Sequence, residues 1–299
     1  MKIVYRKFGA ALAAVLLFCL AACGGVPSPE EAPSAPVTLA ALRIECSAPR
    51  AGADFPAVAR AFAQALQEAL ADKSVAAETL HVSFSRADAA TAQALAEGGV
   101  DAAVLSPLAA LREETVRPVA LLRREEEAAR GVLAAADSAY GAQLRSRAAG
   151  ASPISGEEWS RAVIGVTEED AMLFAAADYA LWESAGCGLS DLPLLRRFDT
   201  ARALLDAAEK GELDALLLRQ SDAGGYTALI TTEPLYEAVF AVAPELALPE
   251  ETLLAAFRTA LETAAGQELL RQYDCGAVSA AEKETVETLR RLAEWEGIQ

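Results

Sequence analysis

A single histidine, His81, stands in a chain of 299 residues. That scarcity excludes a His-rich metal site and leaves a Ser-His-Asp arrangement only one base, with no Gly-x-Ser-x-Gly elbow to accompany it. The five cysteines are scattered, without the paired spacing of a zinc ribbon or a haem-attachment motif. Aromatic residues make up only 6%, which argues against a β-sandwich or barrel. No basic run exceeds two residues and the formal net charge is −17, so nothing could neutralise a phosphate backbone and nucleic acid is excluded as a partner. Gly-rich phosphate and dinucleotide fingerprints are missing too. No enzyme activity, metal or cofactor is expected. What is present is alanine, at 70 positions, a composition suited to long helices packed closely on a sheet.

The N-terminus reads as an export signal. Lys2, Arg6 and Lys7 precede the uncharged run Phe8 to Ala22, which is 15 residues long and falls short of the roughly 20 that span a bilayer. The run ends Leu20-Ala21-Ala22-Cys23-Gly24-Gly25 and resembles the lipobox of bacterial lipoproteins. That resemblance implies cleavage of the signal peptide, residues 1–22, and acylation of Cys23 by fatty chains such as palmitate. Several chains on one residue hold a protein to a membrane far more firmly than one. The signal carries three positive charges and no acid, so the mature charge becomes −20. Residues 23–38 contain four prolines among small and acidic residues and read as a flexible tether. Of the other cysteines, Cys19 leaves with the signal, while Cys46, Cys187 and Cys275 are expected as buried small side chains. A Cys187–Cys275 bridge stays open as an alternative.

The body alternates strands and helices. Leu39 to Cys46 and Leu80 to Phe84 read as strands, with His81 a packed or surface residue of the second. Between them Phe55, Val58, Phe62, Leu66 and Leu70 form one helical stripe. Ala87 to Glu97 reads as a helix, Ala102 to Leu105 as a buried strand and Val116 to Leu122 as another. The charged stretch Arg123 to Arg130 reads as a crossing to a second lobe. There Tyr140 to Ala151, Met172 to Ser184 and Ala201 to Lys210 are expected helices, and Ala162 to Val166, Leu194 to Phe198 and Leu213 to Leu218 expected strands. Tyr236 to Val242 reads as a strand returning to the first lobe. Pro249 to Ala264 and Ala280 to Trp295 read as terminal helices, the second capped by Ser279 and Glu282.

One internal echo stands out. Gly98-Gly-Val-Asp101-Ala-Ala-Val-Leu105 matches Gly211-Glu-Leu-Asp214-Ala-Leu-Leu-Leu218, each preceded by a helix and displaced by 113 residues. Seen twice at that spacing, the pattern indicates two equivalent α/β lobes and needs no chemistry of its own.

On these residues the body, Leu39 to Gly297, resembles a type 2 periplasmic substrate-binding protein of the phosphate- and phosphonate-binding branch of ABC importers. The resemblance rests on Val100-Asp101-Ala-Ala-Val-Leu-Ser106-Pro107, Trp159-Ser-Arg-Ala-Val-Ile-Gly-Val166, Tyr179-Ala-Leu-Trp-Glu-Ser-Ala-Gly186 and Gly211-Glu-Leu-Asp214. It implies a bilobal fold of two Rossmann-like α/β lobes with a central cleft. The expected lobes are 39–125 plus 233–299, and 126–232. In the phosphonate binders a Ser-Thr-Ser-Gly run opens the helix after the strand matching Ala162 to Val166. Here Asp170, Ala171, Met172 and Leu173 stand in its place, behind Thr167, Glu168 and Glu169. Three carboxylates crowd the place of an anion, which argues against phosphate and phosphonate. The same residues also suit an ordinary helix start, with Thr167 as cap and the acids as dipole partners. Ser47, Arg50, Ser106, Pro107, Tyr140 and Tyr226 complete the candidate ligand-binding set.

The expected function is capture of a small polar solute by a monomeric, membrane-anchored extracytoplasmic lipoprotein that delivers it to an ABC permease. The alternative is a bilobal lipoprotein serving as a sensor or surface interaction module without transport. The anchor generates a first prediction. Cys23→Ser should leave an uncleaved or released product, while Cys46→Ser remains membrane-bound, as read by detergent partitioning and intact mass. Equal partitioning of wild type and the Cys23 variant would defeat the lipoprotein reading.

Overall fold

The computed structural model describes residues 37–48, 52–124, 130–150, 153–168 and 170–298. The expected signal peptide, Cys23 and almost all of the tether lie outside the described residues, as do Arg50, Glu169 and the middle of the charged crossing. Residues 38–299 form one compact unit.

Two sheets organise that unit. Six strands, β1 (Leu42–Ser47), β2 (Leu80–Ser85), β3 (Ala102–Leu105), β4 (Arg117–Arg123), β10 (Ala238–Val242) and β11 (Ala277–Ala280), lie in the order β11-β4-β10-β3-β1-β2. Five others, β5 (Arg130–Ala135), β6 (Ile164–Thr167), β7 (Leu195–Phe198), β8 (Ala215–Arg219) and β9 (Thr227–Pro234), lie in the order β9-β5-β8-β6-β7. In the first sheet β1 runs parallel to β2 and β3, and β10 enters antiparallel to β3. In the second, β6 runs parallel to β7 and β8, and β5 enters antiparallel to β8. Each sheet therefore holds a second-first-third parallel trio followed by the strand that has just crossed from the other. The fold is a bilobal α/β architecture of the periplasmic-binding-protein type 2 class.

The repeated Gly-x-x-Asp segments explain how each trio is fixed. Gly98 and Gly211 both take a left-handed conformation, at φ +70° and +71°. The Asp101 N–H donates to Arg43 O and the Asp214 N–H to Val163 O, both at 2.8 Å. Each carboxylate then accepts from the same partner's backbone, Arg43 N at 2.7 Å and Val163 N at 2.9 Å. Each carbonyl receives the crossing strand, from Ala243 N at 3.0 Å and Ala136 N at 2.9 Å. The two aspartates are thus clamps that tie the third strand to the first in both lobes.

Helices cover both sheets: α1 (Phe55–Ala71), α2 (Asp88–Ala96), α3 (Pro107–Arg112), α4 (Ala139–Ala149), α5 (Gly156–Arg161), α6 (Ala171–Ala185), α7 (Ala201–Glu209), α8 (Glu250–Glu262), α9 (Ala264–Gln272) and α10 (Lys283–Ile298). The stripe expected on α1 is buried along its length. Its Phe62 meets Phe257 of α8 edge-on at 5.7 Å, and Phe257 stacks on Phe240 of β10 at 4.1 Å. Each ring contributes about 1.5–3 kcal/mol by leaving water. One apolar cluster runs from Leu105 and Leu121 of the first sheet to Ile164 and Leu217 of the second, with Leu289, Leu292 and Ala293 of α10 among its members.

Several expectations need correction. Thr227–Pro234 is a strand, half-exposed at an edge, where polar residues and a terminal proline hide the alternation. The expected helix Pro249 to Ala264 is instead followed at once by a second, α9, because Thr263 caps a new start through Gly266 N. A Cβ on Gly266 would lie 2.2 Å from Ala260 O, so only glycine permits that tight turn. Ser279 lies in β11 rather than capping α10, which begins at Lys283. The short helix α5 was not anticipated. Cys46, Cys187 and Cys275 are all free thiols, so no Cys187–Cys275 bridge forms, and burial pushes the Cys46 thiol up to about 12.

The clamps generate a second prediction. Asp214→Ala removes the acceptor for Val163 N and for Ser138 Oγ, and should lower stability by about 1–3 kcal/mol in urea unfolding. Asp101→Ala should act alike. A loss below about 0.5 kcal/mol in both would show the clamps to be dispensable.

Candidate functional site

In a sheet ordered second-first-third, the loops leaving the first and third strands run to opposite faces and open a crevice at the strand ends. Both lobes obey this. Ala48 after β1 and Ser106 and Pro107 after β3 line one wall of a cleft of about 620 Å³, and Thr167 at the end of β6, Asp170 beyond it and Arg219 at the end of β8 line the other. Tyr236 and Glu237 from the second crossing, Arg124 from the first, and Tyr273 and Asp274 after α9 complete it. The size suits a small molecule.

Arg219 dominates the chemistry of the cleft. Its side chain is only 5% exposed. Nε donates to Asp170 Oδ2 at 2.8 Å, Nη2 pairs with the same oxygen, and Nη1 lies 2.6 Å from Glu237 Oε1 as an ion contact. Glu237 also faces Arg124 Nε at 3.5 Å, and Arg124 pairs with Asp274. Burial opposes the Arg219 charge, yet Asp170 and Glu237 together hold its pKa above the ordinary value. Burial raises the Glu237 carboxyl, Asp170 adds to the rise, and the two guanidiniums oppose it.

Asp170 is occupied on both oxygens, because Oδ1 caps α6 by accepting from Leu173 N at 2.9 Å. The helix cap is therefore Asp170 and not Thr167, which ends β6 half-buried on the cleft wall. Ser106 caps α3, its Oγ accepting from Ala109 N at 3.4 Å, and Pro107 follows it buried. The other candidates lie elsewhere. Glu168 is exposed and joins β7 only through its N–H to Phe198 O at 3.2 Å. Tyr140 donates its hydroxyl to Glu158 O at 2.9 Å against the second lobe's core. Tyr226 packs beside the Leu204 and Leu213 cluster. Neither tyrosine is among the lining residues. Ser47 is wholly buried at the end of β1, one residue behind the wall.

Sequence reasoning missed Arg219, Glu237, Arg124, Asp88 and Tyr273. A signal for Arg219 existed: it stands 113 residues after Ser106, where the echo would place a cleft residue. Among the described residues no group of three or more His, Cys, Asp and Glu could hold a metal, and no helix is long and apolar enough to cross a membrane.

A third prediction follows from Arg219. Arg219→Met leaves Asp170 and Glu237 without their buried counter-charge and should cost about 3–5 kcal/mol in denaturant unfolding. Adding Glu237→Gln should recover part of that loss. A cost under about 1 kcal/mol would show that water screens the network.

No protein-family model matches the chain, and no curated protein matches it. Solved structures do. XAC2383 from Xanthomonas citri, in a structure bound to ATP, is similar over 87% of this chain and 98% of its own, at 11% identity and TM-score 0.57. A TctC solute binding protein from Polaromonas is similar over 88% and 98%, at 17% identity and TM-score 0.51. PhnD1 from Prochlorococcus marinus, solved with methylphosphonate, covers 86% and 98% at 11% identity and TM-score 0.46, which does not single out a phosphonate branch. The likeness to the first two, the second of them a solute binding protein, is one of fold.

Proposed function

We propose that the chain is the solute-binding lipoprotein of an ABC importer, capturing a small polar solute between lobes 39–125 plus 233–299 and 126–232 and delivering it to a membrane permease. The observation that carries this is a cleft walled by the loops after the first and third strands of both sheets. A solute held there touches both lobes, and contacts made only in the closed state supply the free energy of closure. Ser106, Pro107 and Thr167 are proposed as wall contacts, while Asp170 acts chiefly by holding Arg219. A protein anchored through Cys23 on a proline-rich tether would keep that cleft near the permease.

Charge indicates the solute class. Among the described residues Asp88, Asp170, Asp222, Glu237 and Asp274 line the cleft against Arg124 and Arg219. Both arginines are already paired with cleft acids: to reach Arg219 an anion would have to break a buried ion pair, and to reach Arg124 it would compete with the exposed Asp274. The expected solute is neutral, zwitterionic or cationic. Calorimetry on refolded, ligand-free protein should detect no micromolar binding of phosphate or methylphosphonate. Tight binding of either would overturn the charge argument, and a cleft that binds none of a broad panel of sugars, amino acids, amines and oxoanions would overturn the solute-binding reading.

A further inference from the structure

Four of the five cleft acids are accounted for. Asp170 and Glu237 hold Arg219, Asp274 pairs with Arg124, and Asp222 is exposed to water beside Ser221. Asp88 differs. It is the first residue of α2, it lines the cleft from the first lobe, and its Oδ1 is buried with no hydrogen-bond partner among the described residues. A buried carboxylate oxygen without a donor is costly, and native structures retain few such groups without a reason.

The neighbours on that wall do not supply the donor. The Tyr273 hydroxyl, close enough for Asp88 to add to the pKa rise that burial imposes on it, faces Ser47 O at 2.9 Å and Val104 O at 3.0 Å. Gln272 directs its amide to Glu268 at 3.1 Å. A second unmet group lies at the same strand ends. Ser47 is wholly buried with an unpartnered Oγ, it pairs in register with Ser85, and the next residue, Ala48, donates its N–H to Ser85 O at 3.2 Å. The first lobe thus holds an unpartnered carboxylate oxygen on the cleft wall and, one residue behind that wall, an unpartnered hydroxyl, in a cleft whose described acids exceed its described bases.

Resting on the solute-binding reading above, we infer that the solute carries a protonated amine and that Asp88 is the residue that receives it. An ammonium brings three N–H donors and the positive charge that the cleft lacks, whereas a hydroxyl brings one donor and no charge. The second lobe, whose Asp170 is engaged by Arg219, would enclose the rest of the solute.

Matched probes test this on refolded, ligand-free protein by calorimetry: putrescine against 1,4-butanediol, L-lysine against L-norleucine, and methylphosphonate as the anion. At least one diamine probe should bind more tightly than its matched partner, and Asp88→Asn should weaken it about tenfold or more. Glu97→Gln, the same charge change at the exposed far end of α2, should leave it unchanged. Without ligand, Asp88→Asn should melt at or above the wild-type temperature, because it breaks no partnered contact. Unaltered putrescine and lysine binding in Asp88→Asn, or a lowered melting temperature, would overturn the role of Asp88. Binding of only butanediol or methylphosphonate would overturn the amine and leave solute capture standing; norleucine, whose α-ammonium is itself a protonated amine, supports the inference if Asp88→Asn weakens its binding and opposes it otherwise. If no probe binds, the amine inference and the solute-binding reading fall together.

Discussion

The arrangement of the cleft depends on one buried guanidinium. Arg219 ends β8 in the second lobe, yet one of its two carboxylate partners, Glu237, belongs to the segment that carries the chain back to the first. The other, Asp170, caps α6 with its remaining oxygen. Through Glu237 the network continues to Arg124 on the other crossing and to Asp274 behind α9. A charge buried this deeply is costly unless every neighbour is in place. The helix start, both crossings and the end of α9 are therefore fixed relative to one another by the need to satisfy Arg219. That constraint also removes Asp170 as a free acceptor for a solute and shifts attention to the opposite wall.

The two lobes solve the same geometric problem with the same parts. Each third strand is tied to the first by an aspartate clamp, which sets the strand ends level and opens the crevice between diverging loops. The equivalence ends at the matched position where the third strand runs out, Ser106 just beyond β3 in the first lobe and Arg219 at the end of β8 in the second. Ser106 makes an ordinary helix cap and leaves its wall uncharged at that point. Arg219 draws in two acids and makes its wall electrically closed. The asymmetry of the cleft arises from this one divergence within a repeat.

Much of this was legible in the sequence, and the reason differs by element. The α1 stripe could be read because its five large apolar residues recur at helical spacing and nothing else competes. The third strand of each trio could be read because its segment occurs twice, whereas the clamping role of its aspartate rests on a pairing with the first strand that no local pattern reports. Strand β9 could not, since an edge strand with one polar face has little alternation, and α9 was hidden because α8 and α9 meet without an intervening loop. Ser106, Pro107, Thr167 and Asp170 were placed on the cleft by their position after strands. The pairing of Asp170 with Arg219 spans 49 residues and depends on how β6 and β8 come together, so no local pattern reports it. Of the three carboxylates in a row, Asp170 lines the cleft and holds Arg219, Glu168 is exposed, and Glu169 lies outside the described residues.

The terminal helix limits how such a cleft can move. Helix α10 reaches the first lobe through Arg112 and Glu296 at 2.9 Å and through Arg290 on the Val116 carbonyl at 3.5 Å. It reaches the second lobe through Trp295, whose indole N–H donates to the buried Asp178 of α6 and whose ring lies 4.9 Å from Trp182. An opening that drew α6 away from α10 would strip Asp178 of a donor and expose the apolar cluster the two lobes share, losing both terms at once. A rotation about an axis running close to α10 preserves the Trp295 contacts and lets the strand-end loops swing apart. The loops farthest from that helix then travel most for the least broken packing, which widens the cleft between Asp88 on one wall and Arg219 on the other.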